Sequence, residues 1–198
     1  MFPRERDGCV TLETITGGTS ATNTSCEEAE IRSVPGLGVA SGFGAILDAE
    51  KTRLCISTPT GAAVISSGQF LAKIHEAKRQ QYLLMVTDGA DFDASCPTPD
   101  PIAEVAKLAK TGVKSFFIGF FGTASSGGTN PQVMNKLACA GRTAIDFATK
   151  CKDDGSGNYV PVDPASSAPL YLEAKDAAGL AKSLESVAAS LACRTCLK

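Results

Sequence analysis

The sequence carries little that would suit a nucleic acid or a lipid bilayer. Its formal net charge is only −2, from 19 basic and 21 acidic residues, so it offers no basic field for a polyanion and we expect no nucleic-acid partner. It has no run of 18 apolar residues, the length that a membrane-spanning helix needs, and its first residues lack the apolar segment of a signal peptide. We therefore expect a protein that does not span a membrane.

Catalytic signatures are equally scarce. The single histidine, His75, falls in a predicted helix without a partner histidine, which is typical of a packed or surface side chain rather than a zinc site or a proton relay. There is no Gly-x-Ser-x-Gly elbow, no Ser-His-Asp order, no dinucleotide fingerprint and no phosphate loop. The Cys193–Cys196 pair ends a helix, whereas a redox C-x-x-C needs a helix N-terminus. We expect no enzyme.

The 8 cysteines are many for a reducing cytosol, and an even number suits the disulfides of an exported protein. Cys9 with Cys26, and Cys139 with Cys151, would each close a local loop, although sequence alone does not fix the pairing. We therefore expect an extracellular, periplasmic or cell-surface location, with the export signal encoded upstream of this chain.

An uninterrupted apolar segment, Tyr82–Val86, predicts a central strand covered on both faces by helices, because a half-solvated strand would alternate. Thr87-Asp88-Gly89 follows it at once. Sheets of this kind bind ligands beyond the carboxyl ends of their strands, which is where Asp88 falls. Further strands are predicted over Val113–Phe121 and Leu170–Ala174.

Helices alternate with these strands from about residue 54 onward, which predicts a parallel sheet with right-handed crossovers in one domain of 198 residues. Asp100-Pro101 and Asn130-Pro131 start two of them, with a capping side chain followed by proline.

Five helices are predicted. The first is Gly42–Arg53, the second extends from the Thr60 turn to about Arg79 with Val64, Leu71 and Ile74 inward, and the third extends from Pro101 to Gly112 with Ile102, Val105 and Ala109 inward. The fourth extends from Pro131 to about Gly141, and the last has Leu180, Leu184, Val187 and Leu191 as its apolar stripe. Residues 1–41 are predicted to be irregular apart from a short strand between Cys9 and Gly17, and residues 142–168 to be an irregular insertion with a hairpin near Tyr159.

A family resemblance emerges from these motifs in combination. The segment Thr58-Pro59-Thr60-Gly61-Ala62-Ala63, a following helix, and an apolar strand ending in Thr87-Asp88-Gly89 together resemble a von Willebrand factor type A (VWA) domain of the cysteine-containing, exported bacterial kind. The resemblance covers roughly residues 42–192, with 142–168 as an insertion. It implies an α/β fold with three layers, a doubly wound, mostly parallel, Rossmann-like sheet between two layers of helices.

The resemblance also implies a metal-ion-dependent adhesion site. In the family this site uses an Asp-x-Ser-x-Ser loop, a threonine from a second loop and an aspartate from a third, and Thr60 and Asp88 occupy the last two positions. A hydroxyl and a carboxylate are hard oxygen donors that suit Mg²⁺. The family's metal leaves one position for an acidic group of a protein or glycan ligand, so the implied function is non-enzymatic adhesion, with Thr60 and Asp88 side by side at one end of the sheet.

The chain departs from the family upstream of Thr60, where nothing resembles the Asp-x-Ser-x-Ser loop or its strand. Residues 1–3 instead resemble the end of the family's second strand, so we expect an N-terminally truncated, incomplete fold. The missing strand could instead come from a permuted segment or a partner, or the family assignment could be wrong. Asp154–Asn158 superficially matches the missing loop, but no apolar strand precedes it and a glycine-rich hairpin turn is favoured.

Each site residue also has a simpler interpretation. Thr60 could cap a helix, and Asp88 could accept amides in its own turn. The function could then be that of a metal-independent interaction scaffold. An enzymatic alternative is a small α/β hydrolase that uses Asp88, Asp91 and Asp93, although a solvated acidic loop explains the last two as well.

Overall fold

The structure is a computed structural model that describes residues 2–3, 29–30, 60–87, 99–120 and 130–192. It contains two compact units: Met1–Ile74 with Asp91–Asp100, and His75–Ala90 with Pro101–Lys198. The helix predicted over Gly42–Arg53, the strand predicted between Cys9 and Gly17, the Cys9–Cys26 bridge and the Cys193–Cys196 pair lie outside the described residues.

The described part of the first unit consists of two short strands and one helix. Strand β1 (Phe2–Pro3) pairs antiparallel with β2 (Ala29–Glu30), and α1 spans Thr60–Lys73. The prediction that α1 reaches Arg79 is wrong. Ile74 is the only large apolar side chain from residue 74 to 79 and it is 51% exposed, so a longer helix would bury almost nothing.

The second unit holds the remaining elements. They are β3 (Tyr82–Thr87), α2 (Pro101–Lys110), β4 (Lys114–Phe120), α3 (Pro131–Ala140), α4 (Phe147–Lys150), β5 (Cys151–Asp153), β6 (Tyr159–Pro161), β7 (Leu172–Ala174) and α5 (Ala177–Ala192). β3, β4 and β7 form a parallel sheet in that order, with Leu84 opposite Phe116 and Phe120 opposite Ala174. The predicted α/β class with a parallel sheet is therefore confirmed.

Two helices beside this sheet begin and end as their sequences predict. Asn130 caps α3 by accepting the backbone N–H groups of Gln132 and Val133, and Pro131 fills the first turn. In α2, Val105 is fully buried and Ala109 is 3% exposed. The helix stops before Gly112, which adopts φ = 94°, a conformation that glycine reaches without a steric penalty.

Strand β3 is not covered on both faces, so this prediction is wrong. Leu84 is 39% exposed and Val86 is 48% exposed, and β3 lies at one end of the described sheet rather than at its centre. The doubly covered strand is β4, in which Phe117 is 2% exposed and Ile118 is fully buried. An apolar run indicates that a strand can be buried, but whether the strand is buried depends on the elements that pack beside it.

The apolar stripe of α5 is also partly wrong. Val187 is buried, but Leu184 is 40% exposed while Ser183 is buried in its place. Ser183 tolerates burial because its hydroxyl donates to the Glu173 carbonyl at 3.1 Å. The buried face of α5 therefore contains Ser183 and Val187, and Leu184 lies outside it.

Residues 142–168 contain α4 and an antiparallel hairpin of β5 and β6, so the hairpin expected near Tyr159 is confirmed. Cys139 and Cys151, one of the local pairs that the sequence left open, form a disulfide that ties α3 to the start of this hairpin. Tyr159 packs against Phe147 with the ring centroids 4.9 Å apart, and the Arg142 guanidinium lies 5.2 Å from the Tyr159 ring centroid.

Candidate functional site

Thr60 is the first residue of α1 and is 4% exposed. The first turn of the helix is tightly packed, because a Cβ on Gly61 would collide with the Pro99 carbonyl oxygen. Ala62 is fully buried and Val64 is 2% exposed. The sequence Pro59-Thr60-Gly61 therefore produces what the motif predicts locally, a hydroxyl-bearing residue at a buried helix start, in close contact with a neighbouring backbone.

The carboxyl ends of β3 and β4 lie side by side at one end of the sheet. Thr87 ends β3 opposite Gly119, and it is 9% exposed. Phe120 pairs in turn with Ala174 at the end of β7. Asp88 is the next residue in the sequence after Thr87.

Asp88 of the predicted metal site lies outside the described residues, as do Asp91 and Asp93 of the hydrolase alternative, so the predicted proximity of Thr60 and Asp88 remains a prediction. Within the described ranges, no group of three His, Cys, Asp or Glu side chains is arranged to hold a metal ion. The donor that the described part offers to the predicted site is the Thr60 hydroxyl.

Two polar side chains at helix starts of the second unit are occupied by capping. Asn130 accepts two amides of α3. Asp176 accepts the Gly179 amide at 2.7 Å through its side chain and the Leu180 amide at 2.9 Å through its carbonyl, which caps α5. Both groups satisfy amides at helix starts, so their position there is explained without a ligand.

The Asp154–Asn158 segment is the turn between β5 and β6, as favoured from the sequence. Asp154 accepts the Ser156 hydroxyl at 2.7 Å and amide at 2.8 Å, and the Asn158 side-chain amide at 3.1 Å. These hydrogen bonds, the Ser156 hydroxyl first, lower the pKa of Asp154 to about 2. Gly155 and Gly157 adopt φ values of 92° and 81°, which the turn requires.

His75 follows α1 rather than lying within it, so its predicted place in a helix is wrong. It is exposed, and its Nδ1 lies 3.4 Å from Gln81 Oε1. A solvated imidazole with an amide partner has the environment of an ordinary surface side chain, as its isolation in the sequence predicts.

A small cavity of about 150 Å³ lies against the first half of β4. Its lining includes Phe116, Ile145, Tyr171, Leu172 and Val187. A cavity of this volume holds a group about the size of benzene, whereas ligand sites typically exceed about 300 Å³. Burial first, then the neighbouring Glu173 carboxylate, raises the pKa of Tyr171 to about 12, so this phenol stays protonated and serves packing.

Asn135 is a buried polar residue that the sequence did not reveal. It is 1% exposed, and it connects α3 to the segment before β7. Its Oδ1 accepts the Leu170 amide at 2.7 Å, and its Nδ2 donates to the carbonyls of Ser166 and Ala168 at 3.1 and 2.9 Å. The one available signal was an amide between the apolar residues Met134 and Leu137, but its partners lie 31 to 35 residues away.

Comparison with protein-family models, with curated proteins and with solved structures finds no match. Among the described helices, none has both the length and the apolar character needed to cross a bilayer. What the chain does must therefore be argued from its own residues.

Proposed function

We propose that the chain is a non-enzymatic, ligand-binding domain of the VWA type, with a three-layer, doubly wound α/β fold. The observation that carries the proposal is the parallel sheet of β3, β4 and β7. The carboxyl ends of its strands lie at the same end of the sheet, and Asp88 is the first residue after β3. Ligands of such sheets bind beyond the carboxyl ends of the strands.

The proposed site joins the Thr60 hydroxyl to the Asp88 carboxylate around Mg²⁺ or another divalent cation. Oxygen donors of this kind are the ones that Mg²⁺ accepts, and a site with two protein ligands leaves coordination positions for water and for a ligand carboxylate. The proposed partner is a protein or glycan that presents an acidic group. The buried helix start at Thr60 supports the proposal, because it fixes one donor in place.

The proposed location is extracellular, periplasmic or at the cell surface. The Cys139–Cys151 disulfide supports it, since both cysteines are buried and such bridges persist in oxidising compartments.

The test is isothermal titration calorimetry of the full chain with Mg²⁺ and Mn²⁺. We expect saturable binding that weakens at least about tenfold in Asp88→Ala, because a carboxylate supplies most of the charge of the site. Glu185→Ala, which removes an exposed carboxylate of α5, is the matched control and should bind as the wild type does.

Two outcomes would redirect the proposal. Equal absence of binding in the wild type and in Asp88→Ala would favour the metal-independent scaffold. A phosphoesterase activity that disappears in Asp91→Asn would favour the hydrolase.

A further inference from the structure

Strand β3 is the outermost strand of the described sheet, and none of its residues is charged. Its six residues are Tyr82-Leu83-Leu84-Met85-Val86-Thr87, and β4 is the one described strand beside it. Protein sheets usually protect such an edge with lysine, proline, a bulge or a covering element, because its unpaired backbone groups template another strand. β3 contains neither lysine nor proline.

Two apolar side chains on one face of β3 are exposed as well. Tyr82, Leu84 and Val86 alternate along this face, and the last two are 39% and 48% exposed. No described strand pairs with Tyr82–Val86 on the side away from β4, so a partner strand there would add both backbone hydrogen bonds and cross-strand contacts.

We propose that β3 is a self-association edge, at which two copies of this chain pair β3 antiparallel across a two-fold axis. This inference does not depend on the metal site. A two-fold axis perpendicular to the sheet keeps equivalent faces on the same side, so it pairs residues whose numbers have an even sum. With Leu84 opposite the partner's Leu84, all residues from Tyr82 to Val86 are paired.

The chemistry of this register is self-complementary. Tyr82 lies opposite the partner's Val86, an aromatic and β-branched pair of the kind that stabilises antiparallel ladders. No like charges meet, since the strand is uncharged, and a formal net charge of −2 for the whole chain opposes association little. A charged peptide would find no ion-pair partner on β3, whereas a second copy places an uncharged side chain opposite another at every paired position from Tyr82 to Val86. The two three-stranded sheets then become one sheet of six strands.

The first test is sedimentation velocity of the full, oxidised chain over a concentration series that reaches about 200 μM, where even a small interface of modest affinity is populated. We expect a monomer–dimer equilibrium in the wild type. Leu84→Lys and Leu84→Glu should each raise the dimer dissociation constant at least about tenfold, because like charges would face each other across the axis.

The second test is mixing. An equimolar mixture of the Leu84→Lys and Leu84→Glu chains should recover the dimer, because opposite charges then meet across the strands. Recovery also shows that both variants are folded. Val162→Lys is the matched control, since Val162 is 49% exposed beyond β6, and this variant should dimerise as the wild type does.

Three results would overturn the inference. A wild-type chain that stays monomeric at about 200 μM would leave the edge to another occupant. Dimers that persist in both Leu84 variants would place the interface elsewhere. Failure of the mixture to recover the dimer would contradict the pairing of Leu84 across the axis.

Discussion

Removing the side-chain amide of Asn135 should destabilise the second unit more than any neighbouring polar substitution. This amide makes three hydrogen bonds from α3 to the segment that leads into β7, with the Leu170 amide and the carbonyls of Ser166 and Ala168. Asn135→Ala abolishes all three bonds. Asn135→Asp keeps an acceptor for Leu170 but loses the donor for the two carbonyls.

The magnitude follows from which partners can reach water. Leu170 is 8% exposed, so its amide stays buried and unpaired, which costs about 1–3 kcal/mol. Ala168 is exposed, so water replaces the lost bond to its carbonyl at little cost. The vacated side-chain volume adds about 1 kcal/mol. The free energy of unfolding should therefore fall by about 2–4 kcal/mol in Asn135→Ala.

Asn135→Asp adds a pH dependence whose sign is fixed. Burial beside two carbonyl oxygens favours the neutral acid, so the folded pKa of the new carboxyl lies above its unfolded value of about 3.9. The unfolded state then ionises first, and stability is lost as the pH rises through this interval. The deficit relative to the wild type should be larger at pH 7 than near pH 4.

Urea denaturation followed by far-ultraviolet circular dichroism measures both effects, provided that the m-values agree. Gln132→Ala is the control on the same helix, because the Gln132 side chain makes only an exposed contact at 3.5 Å with the Ala165 carbonyl. It should change the free energy of unfolding by no more than about 0.5 kcal/mol. An equally small change in Asn135→Ala, or a pH-independent deficit in Asn135→Asp, would refute the reasoning.

Two further predictions concern single contacts. The pKa of Asp154 should be about 2, so the stabilisation from its hydrogen bonds is present above the ordinary pKa of 3.8 and is lost as the pH falls through about 2. Ser156→Gly should move this pKa back toward 3.8, as measured by carboxyl-carbon NMR. A wild-type pKa already near 3.8 would contradict the geometry. Gly141→Ala should cost about 1–3 kcal/mol in urea denaturation, because the new Cβ would meet the Ser115 carbonyl oxygen and would lie 3.1 Å from the Phe117 ring. Gly179→Ala, where the nearest atom is Asp176 Oδ1 at 3.3 Å, should stay within about 1 kcal/mol of the wild type, and equal losses in the two variants would show that crowding at Gly141 is relieved.

The features that sequence predicted correctly are local ones. The Asn130-Pro131 start of α3 depends on one side chain and the two amides just after it. The Cys139–Cys151 bridge, one of the local pairs that the sequence left open, closes a separation of 12 residues. The apolar runs that became β3 and β4 contain enough β-branched and aromatic side chains to specify strands without reference to the rest of the chain.

The features that it missed depend on distant partners. Ser183 displaces Leu184 from the buried face of α5 because a carbonyl of β7 accepts its hydroxyl, 10 residues away. From the sequence alone, Asn135 is a polar residue in an otherwise apolar part of a helix, and its burial is explained only by its partners before β7. For the candidate site, the sequence located the buried helix start at Thr60, while the placement of Asp88 depends on a connection outside the described residues.

The error at β3 concerns cover rather than secondary structure. The apolar run predicted a strand, and β3 spans Tyr82–Thr87, but Leu84 and Val86 are exposed at the end of the described sheet. An apolar strand in this position costs solubility unless something pairs with it. Because the strand is free of charge and can match itself residue by residue, a second copy would turn the end of the sheet into its middle. The dimer would then restore to β3 the central position that its sequence predicts, although no local signal could have revealed that the second neighbour comes from another molecule.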